Sequence, residues 1–453
     1  MIDSDEYPAT TLIHTRCVSI LASLWHADDT KHATGTATTG SSEAIQLAGL
    51  AMKKIWQEKM KKAGKDEYRP GPNIVMGANA QVALEKFARY FDVEMRLVPV
   101  DESTNYAMSP KRAMEYIDEN TVGVFVILGS TYTGVYENVE EMCNLLDEYE
   151  AKTGISVPVH VDAASGGFVA PFATPKLKWD FQLPRVVSIN SSGHKFGKAY
   201  VGVGWVIWRD KAHLHPSLIF ELHYLGSVEY SFSLNFSRPA APIIASYFNF
   251  VHLGFEGYRK IALHDAKNAR LLARALENST YYDVISDSHR LAEAKGGIAG
   301  AVEKAKQITG LTDDIEAYNP GLPVVAFKFT DKIKARFPHL KGHSIQTGLR
   351  SKEWIVPCYE LPPNCEDIEI LRVVVREQMS EDLIERLVQD IITVTEETFE
   401  AQPEHPSQHA NIKGQDKEER KKDKKENPAH TDEKAAGTYK GEGTEPTGHG
   451  SVC

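Results

Sequence analysis

No stretch of this 453-residue chain approaches the roughly 18–20 consecutive apolar residues needed to cross a bilayer, so no transmembrane helix and no membrane partner are expected. The first residues, Met1-Ile2-Asp3-Ser4-Asp5-Glu6, are acidic and polar, the opposite of a secretory or transit leader, which makes a cytoplasmic protein the expectation. Cysteine is sparse. The five (Cys17, Cys143, Cys358, Cys365 and Cys453) are scattered, odd in number and without CxxC spacing, which argues against a disulfide frame and against a metal site. Positive charge is in deficit too: the net charge is −11 and no basic face is interleaved with aromatics, so a general nucleic-acid binder is excluded. Internal repeats are missing. Beyond Gln402 the apolar residues needed to fold run out, and Pro, His, Gln, Gly and mixed charge take over, so 402–453 is expected to be a disordered tail.

What remains is ordinary globular composition, long enough for a large core and two or three domains. Apolar positions at helical spacing (Leu12, Ile13, Cys17, Val18, Ile20, Leu21, Leu24) predict a helix over 9–25. The small-residue segment 33–40 reads as a loop ending at Ser41-Ser42, where a long helix starts and runs to about Lys62. Strands follow at 73–76, 95–100, 122–128 and 157–161, with helices at 80–90, 110–120 and 138–153 between them. That alternation is the mark of an α/β domain with a mostly parallel sheet, whose ligands bind at the carboxyl ends of the strands. From about Ser237 an aromatic-rich helix runs toward Gly254, and a second, at 257–276, leads into a smaller domain. Its strands are expected near 282–285, 324–329, 354–356 and 370–375, with a last helix at 381–399 and a surface insertion at 287–320. The expected divisions are a helical segment 1–29, a large domain 30–255, a small domain 256–401 and the tail.

The chain is organised around Ser188-Ile189-Asn190-Ser191-Ser192-Gly193-His194-Lys195-Phe196-Gly197. Lys195 lies on the connection between two apolar strands, where suppressed charge makes a lysine a good Schiff-base amine. Upstream, Asp162 ends the apolar run Val157–Val161, and a buried carboxylate there calls for a cation. Pyridoxal phosphate supplies one in its protonated ring nitrogen, with Lys195 holding the cofactor. Ala164 is small enough for the ring to lie against the strand end. Ser41, Ser42, Thr131 and Ser192, with a helix N-terminus, are candidates for the phosphate. His194 read alone is a hydrogen-bonded structural residue.

Several motifs together resemble the glutamate decarboxylases among the pyridoxal-phosphate group II decarboxylases: Gly40-Ser41-Ser42-Glu43-Ala44, Lys86-Phe87-Ala88-Arg89-Tyr90, Thr131-Tyr132-Thr133-Gly134, the run from His160 to Phe168, Ser192–Gly197, Gly204-Trp205-Val206-Ile207-Trp208-Arg209 and Asn235-Phe236-Ser237-Arg238-Pro239. The last two and Thr131–Gly134 set it apart from aromatic-amino-acid and histidine decarboxylases. The resemblance spans about residues 1–400. It implies the aspartate-aminotransferase-like fold type I, with a mostly parallel seven-stranded sheet in the large domain and a smaller α+β domain after it. It implies that Lys195, Asp162 and His194 are catalytic, and that Ser41, Ser42, Gln81, Thr131, Ala164, Ser192 and His194 contact the cofactor, Gln81 covering one ring face. Arg376 is implied to grip the substrate α-carboxylate. The implied reaction turns L-glutamate into 4-aminobutanoate and CO2 in a homo-oligomer, dimer or hexamer.

Two departures stand out. Family members carry a further N-terminal segment, and Asp3 is the one residue here matched to its substrate-facing part, so the expectation is a chain that binds cofactor but decarboxylates poorly. No tryptophan follows Trp354, and the charged tail lacks an amphipathic anchor, which argues against calmodulin as a partner. The competing readings are another pyridoxal-phosphate decarboxylase or carbon–carbon lyase, and a non-catalytic cofactor-binding homologue.

Overall fold

Strands and helices alternate through the first half of the chain, and the computed structural model gathers them on two sheets; it describes residues 6–223, 229–292 and 314–401. Asp3, residues 293–313 of the expected insertion and the tail from 402 lie outside the described residues. The larger sheet holds β1 (Thr34–Thr38), β2 (Asn73–Gly77), β3 (Glu94–Val98), β4 (Thr121–Ile127), β5 (Val159–Asp162), β6 (Val186–Ser192) and β7 (Gly204–Trp208), in the order β1-β7-β6-β5-β4-β2-β3. Strands β2 to β6 run parallel to one another, while β7 is antiparallel to both β6 and β1.

The central strand β4 reads as a near-continuous apolar run because both faces are covered. On one face lie α2 (Ser41–Lys62) and α3 (Val82–Tyr90), whose Ile45, Met52, Trp56 and Phe87 pack with Ile74, Met76 and Phe125. On the other lie α1 (Pro8–Leu24) and, after the one-turn α4 (Pro110–Ala113), α5 (Val139–Thr153). Their Leu21, Met142 and Leu146 meet Val124, Val126, Val161, Ile189 and Trp205. Each such large side chain removed from water contributes about 1.5–3 kcal/mol before entropy is counted. Local signals set the ends: α1 starts on Pro8, where a missing N–H is harmless, and α5 runs from an Asn138 cap on Glu141 N to the left-handed Gly154.

After the short α6 (Ala170–Ala173) and a two-stranded piece, β8 (Phe220–Leu222) with β9 (Glu229–Ser231), comes α7 (Ala241–Asn278). As expected, two helices meet here: α7 is broken at Gly254, whose backbone is not helical and whose φ of 58° suits glycine. Ile243, Phe250, Tyr258 and Ala262 of α7 belong to the first core, and Ala269, Leu272, Ala273 and Leu276 to a second. That second core backs an antiparallel sheet ordered β10-β11-β13-β12: β10 (Tyr282–Val284), β11 (Val324–Phe329), β12 (Cys358–Glu360) and β13 (Glu369–Val374). Helices α8 (Asp331–Arg336), α9 (Gly342–Ser351) and α10 (Glu381–Glu400) cover it, α10 capped by Ser380 on Leu383 N.

Three segments differ from expectation. Residues 34–38 are an edge strand rather than loop: a Cβ on Gly35 would stand 2.5 Å from Ile207 Cδ1, so β1 can approach β7 only with small residues. In 110–120 helix gives way to a 3₁₀ turn and then to a turn at Asp118, whose Oδ1 accepts from Asn120 N at 2.8 Å and so sends the chain into β4. The strand expected at 354–356 begins at Cys358 instead, because Trp354 Nε1 is drawn to Asp390 of α10 at 2.7 Å. Among the described residues no helix is long and apolar enough to cross a membrane.

Candidate active site

The carboxyl ends of β4, β5 and β6 converge with the start of α2. Asp162 is the last residue of β5 and is buried, 2% exposed. Its Oδ1 accepts from Asn190 Nδ2 at 2.9 Å and from Ala164 N at 3.1 Å, and Ser192 N donates to Ala164 O at 3.1 Å. Ser192 ends β6, and its hydroxyl meets that of Ser41 at 2.7 Å. Gly40 and Ser41 open α2 with no side-chain cap, so the first-turn N–H groups face outward from the helix as donors. The close fit of this corner requires Gly204: a Cβ there would lie 2.3 Å from the Gly40 carbonyl carbon. Ser42 is exposed on the same turn.

Three residues past β6, Lys195 Nζ donates to Ser165 Oγ at 3.2 Å. Burial lowers the pKa of this amine below the usual lysine value, with Asp162 opposing the shift and Arg372 adding to it. The neighbouring His194 donates from Nδ1 to Val203 O at 3.3 Å. The loop that carries the lysine is held at its carbonyls: Arg376 Nη2 reaches Lys195 O at 2.9 Å, Tyr258 Oη reaches Gly197 O at 3.0 Å, and Asn249 Nδ2 reaches Lys198 O at 2.9 Å. Lys198 turns the chain in the left-handed region (φ 62°) and pairs with Glu377 at 2.5 Å. Across the site, Gln81 Nε2 donates to Thr131 Oγ1, and Tyr359 Oη donates to Thr131 O at 3.3 Å.

Of the residues singled out in the sequence, Ser41, Asp162, Ala164, Ser192 and Lys195 thus form one cluster, Gln81 and Thr131 form a contact beside it, and Arg376 is engaged with the lysine's own backbone. Four residues went unselected. Ser165 touches Lys195 directly. Arg372 donates to Thr131 O, lies 5.5 Å from the Tyr359 ring centre and keeps a buried Nε without a hydrogen-bond partner. His160 and Asn190 connect to Asp162 from within the sheet. A signal for the last two was there: His160 and Asp162 on one strand, and Ser188, Asn190 and Ser192 on the next, recur at every second position, so they share a face.

Pyridoxal phosphate needs an amine for its aldehyde, an anion for its protonated ring nitrogen and N–H or O–H donors for its phosphate. The half-buried Lys195, the buried Asp162 and the hydroxyls at the uncapped start of α2 have the chemistry for all three.

Comparison with known proteins agrees with this chemistry. Residues 1–292 match the pyridoxal-dependent decarboxylase conserved domain. The glutamate decarboxylase of Saccharomyces cerevisiae is 44% identical over 413 residues, covering 87% of this chain and 69% of the relative. That of Solanum lycopersicum is 44% identical over 413 residues, covering 91% and 74%. The solved glutamate decarboxylase of Lactobacillus brevis superposes with a TM-score of 0.76 at 38% identity, covering 87% of this chain and 82% of that one, and shares the fold type I architecture. The chain belongs to the pyridoxal-dependent decarboxylases and, within them, to the glutamate decarboxylases.

Proposed function

We propose that this chain removes the α-carboxylate of L-glutamate as CO2 and leaves 4-aminobutanoate, with pyridoxal phosphate held on Lys195. The observation that carries the reading is the half-buried Lys195 with the buried Asp162 at neighbouring strand ends, in a chain 44% identical to relatives named for this reaction. When bound, the cofactor supplies a sink for the electron pair left at Cα as CO2 departs. The rest falls to the protein. Asp162 keeps a proton on the ring nitrogen. Ser41, Ser42, Ser192 and the start of α2 bind the phosphate, with Thr131 and His194 as further contacts and Gln81 over the ring. Lys195, whose lowered pKa favours the free amine, takes the proton released on binding and is placed to return one to Cα. Each turnover takes up one proton, because glutamate carries a net negative charge and its products carry none.

Two arginines are candidates for the substrate's carboxylates. Arg376, which the resemblance implies for the α-carboxylate, already donates to Lys195 O, whereas Arg372 has a buried Nε free of protein partners, so we place Arg372 ahead of Arg376 as the holder of a substrate carboxylate. Arg372→Lys removes the planar fork. The KM for glutamate is expected to rise about 10–100-fold while cofactor uptake is unchanged, as steady-state kinetics and the visible spectrum will report.

The direct test is to load the purified chain with pyridoxal phosphate, offer L-glutamate, L-aspartate, L-tyrosine and L-tryptophan separately, and measure amine and CO2. Product from glutamate alone is expected. Product from another amino acid would move the chain to a different decarboxylase, and cofactor uptake without product from any would make it a non-catalytic homologue.

We further take the working form to be a homo-oligomer. Ile244, Phe248 and Val251, on the part of α7 before Gly254, are 43–65% exposed and recur at helical spacing, an apolar stripe suited to a second copy. Sedimentation of the purified chain as a monomer at micromolar concentration would count against it.

A further inference from the structure

Below Asp162, inside the sheet, three neutral polar side chains are fully buried where valine or isoleucine would pack more simply. Strands β5 and β6 pair in a parallel register that sets His160 opposite Ser188 and Asp162 opposite Asn190. Asn190 Nδ2 lies 2.9 Å from Asp162 Oδ1, and Asn190 Oδ1 lies 2.7 Å from His160 Nε2. Turning the amide over would press a carbonyl oxygen against a carboxylate oxygen, so the amide has one orientation. A carbonyl oxygen only accepts, so His160 Nε2 carries the hydrogen. Burial holds the His160 pKa down to about 4, which leaves the ring neutral and Nδ1 bare. Ser188 Oγ, 2.8 Å from Nδ1, must then be the donor. Every hydrogen bond in the series Ser188, His160, Asn190, Asp162 therefore points the same way, toward the carboxylate. Both bonds that Asp162 accepts, from Asn190 and from Ala164 N, fall on Oδ1, which leaves Oδ2 for a ligand.

We propose that Asn190 and His160 are positioning residues for Asp162: a one-way series of donors that holds the carboxylate aimed at the site, and so governs how strongly the site prefers a ring that can be protonated. This rests on the reading of Lys195 and Asp162 as the cofactor's holders. A donor facing a carboxylate stabilises the anion directly, and a second and third donor behind it polarise the first.

The test uses the full cofactor-free chain and two probes: pyridoxal phosphate, and its deaza analogue with C–H in place of the ring nitrogen. Affinities come from visible titration, and attachment to Lys195 from borohydride reduction followed by peptide mapping. The wild-type chain is expected to prefer the protonatable ring. In Asn190→Leu and His160→Phe that preference is expected to shrink about 10-fold, with the deaza analogue bound nearly as before. His160→Gln, whose amide can donate to Asn190 and accept from Ser188, is expected to restore it, and this pair keeps the test decisive should Asn190→Leu fail to fold. Equal loss of affinity for both probes, or no difference between His160→Phe and His160→Gln, overturns the proposal. A wild-type chain that attaches neither probe at Lys195 overturns the cofactor reading, and this inference with it.

Discussion

Replacing Lys195 with alanine is expected to leave a folded chain whose decarboxylation falls by more than about a thousandfold, since it removes both the covalent anchor and a proton carrier placed at Cα. Borohydride should fix pyridoxal phosphate to the wild-type chain at Lys195 and to the variant nowhere. The fold should not suffer. Lys195 Nζ has one hydrogen bond, to Ser165, and its pKa is depressed chiefly by burial, so holding its charge inside opposes folding. In the cofactor-free state the unfolded chain binds a proton at this lysine more readily than the folded one. The contribution of Lys195 to stability therefore rises as pH climbs from its lowered folded value toward 10.5, and the alanine variant should be the more stable of the two, by a margin that narrows over that climb. Thermal unfolding across that range measures the sign. A lysine variant that retained near wild-type turnover would remove the basis of the whole reading.

Asp162→Asn is the second large effect. The substitution keeps the shape at the end of β5 and removes the negative charge, so a protonated ring nitrogen would lose its counter-charge in a buried place. We expect turnover to fall about 10²–10⁴-fold. Because Asp162 is what holds the Lys195 pKa up against burial, the variant should also lower that pKa further. Reaction of the cofactor-free chain with pyridoxal as a function of pH would show the lysine's titration moving to lower pH. An unmoved titration would mean that the two groups do not sense one another. Asp162→Ala is the poorer probe, since it strands Asn190 Nδ2 in the interior at about 1–3 kcal/mol and confuses stability with chemistry.

Much of this was readable from residues because burial on both faces leaves a plain mark. The run Val122–Leu128 could be little other than a central strand, and a lysine and an aspartate placed at the ends of two such runs stand out against them. What escaped notice escaped for definable reasons. Thr34–Thr38 lacks the bulky β-branched residues of a central strand because it must fit under Ile207, and glycine with threonine looks like loop until its neighbour is known. Arg372 and Arg376 lie four residues apart in similar apolar company. Only the three-dimensional arrangement separates the one that reaches Lys195 O from the one with an unpartnered Nε. The row formed by His160, Asn190 and Ser188 was visible as polar alternation, but its direction depends on which strand pairs with which and in what register.

The loop after Lys195, with its carbonyls held by Arg376, Tyr258 and Asn249, has one more consequence. Three anchors from outside the loop mean that its backbone does not share in the motion of the side chain. Whenever Nζ lets go of a bound group, it can swing only on its four-carbon stem about a fixed pivot. The amine is thereby confined to a volume little larger than the site itself, at an effective concentration that no free amine in solution could match. Return is then an intramolecular event, and the same nitrogen is on hand each time one cycle closes and the next begins.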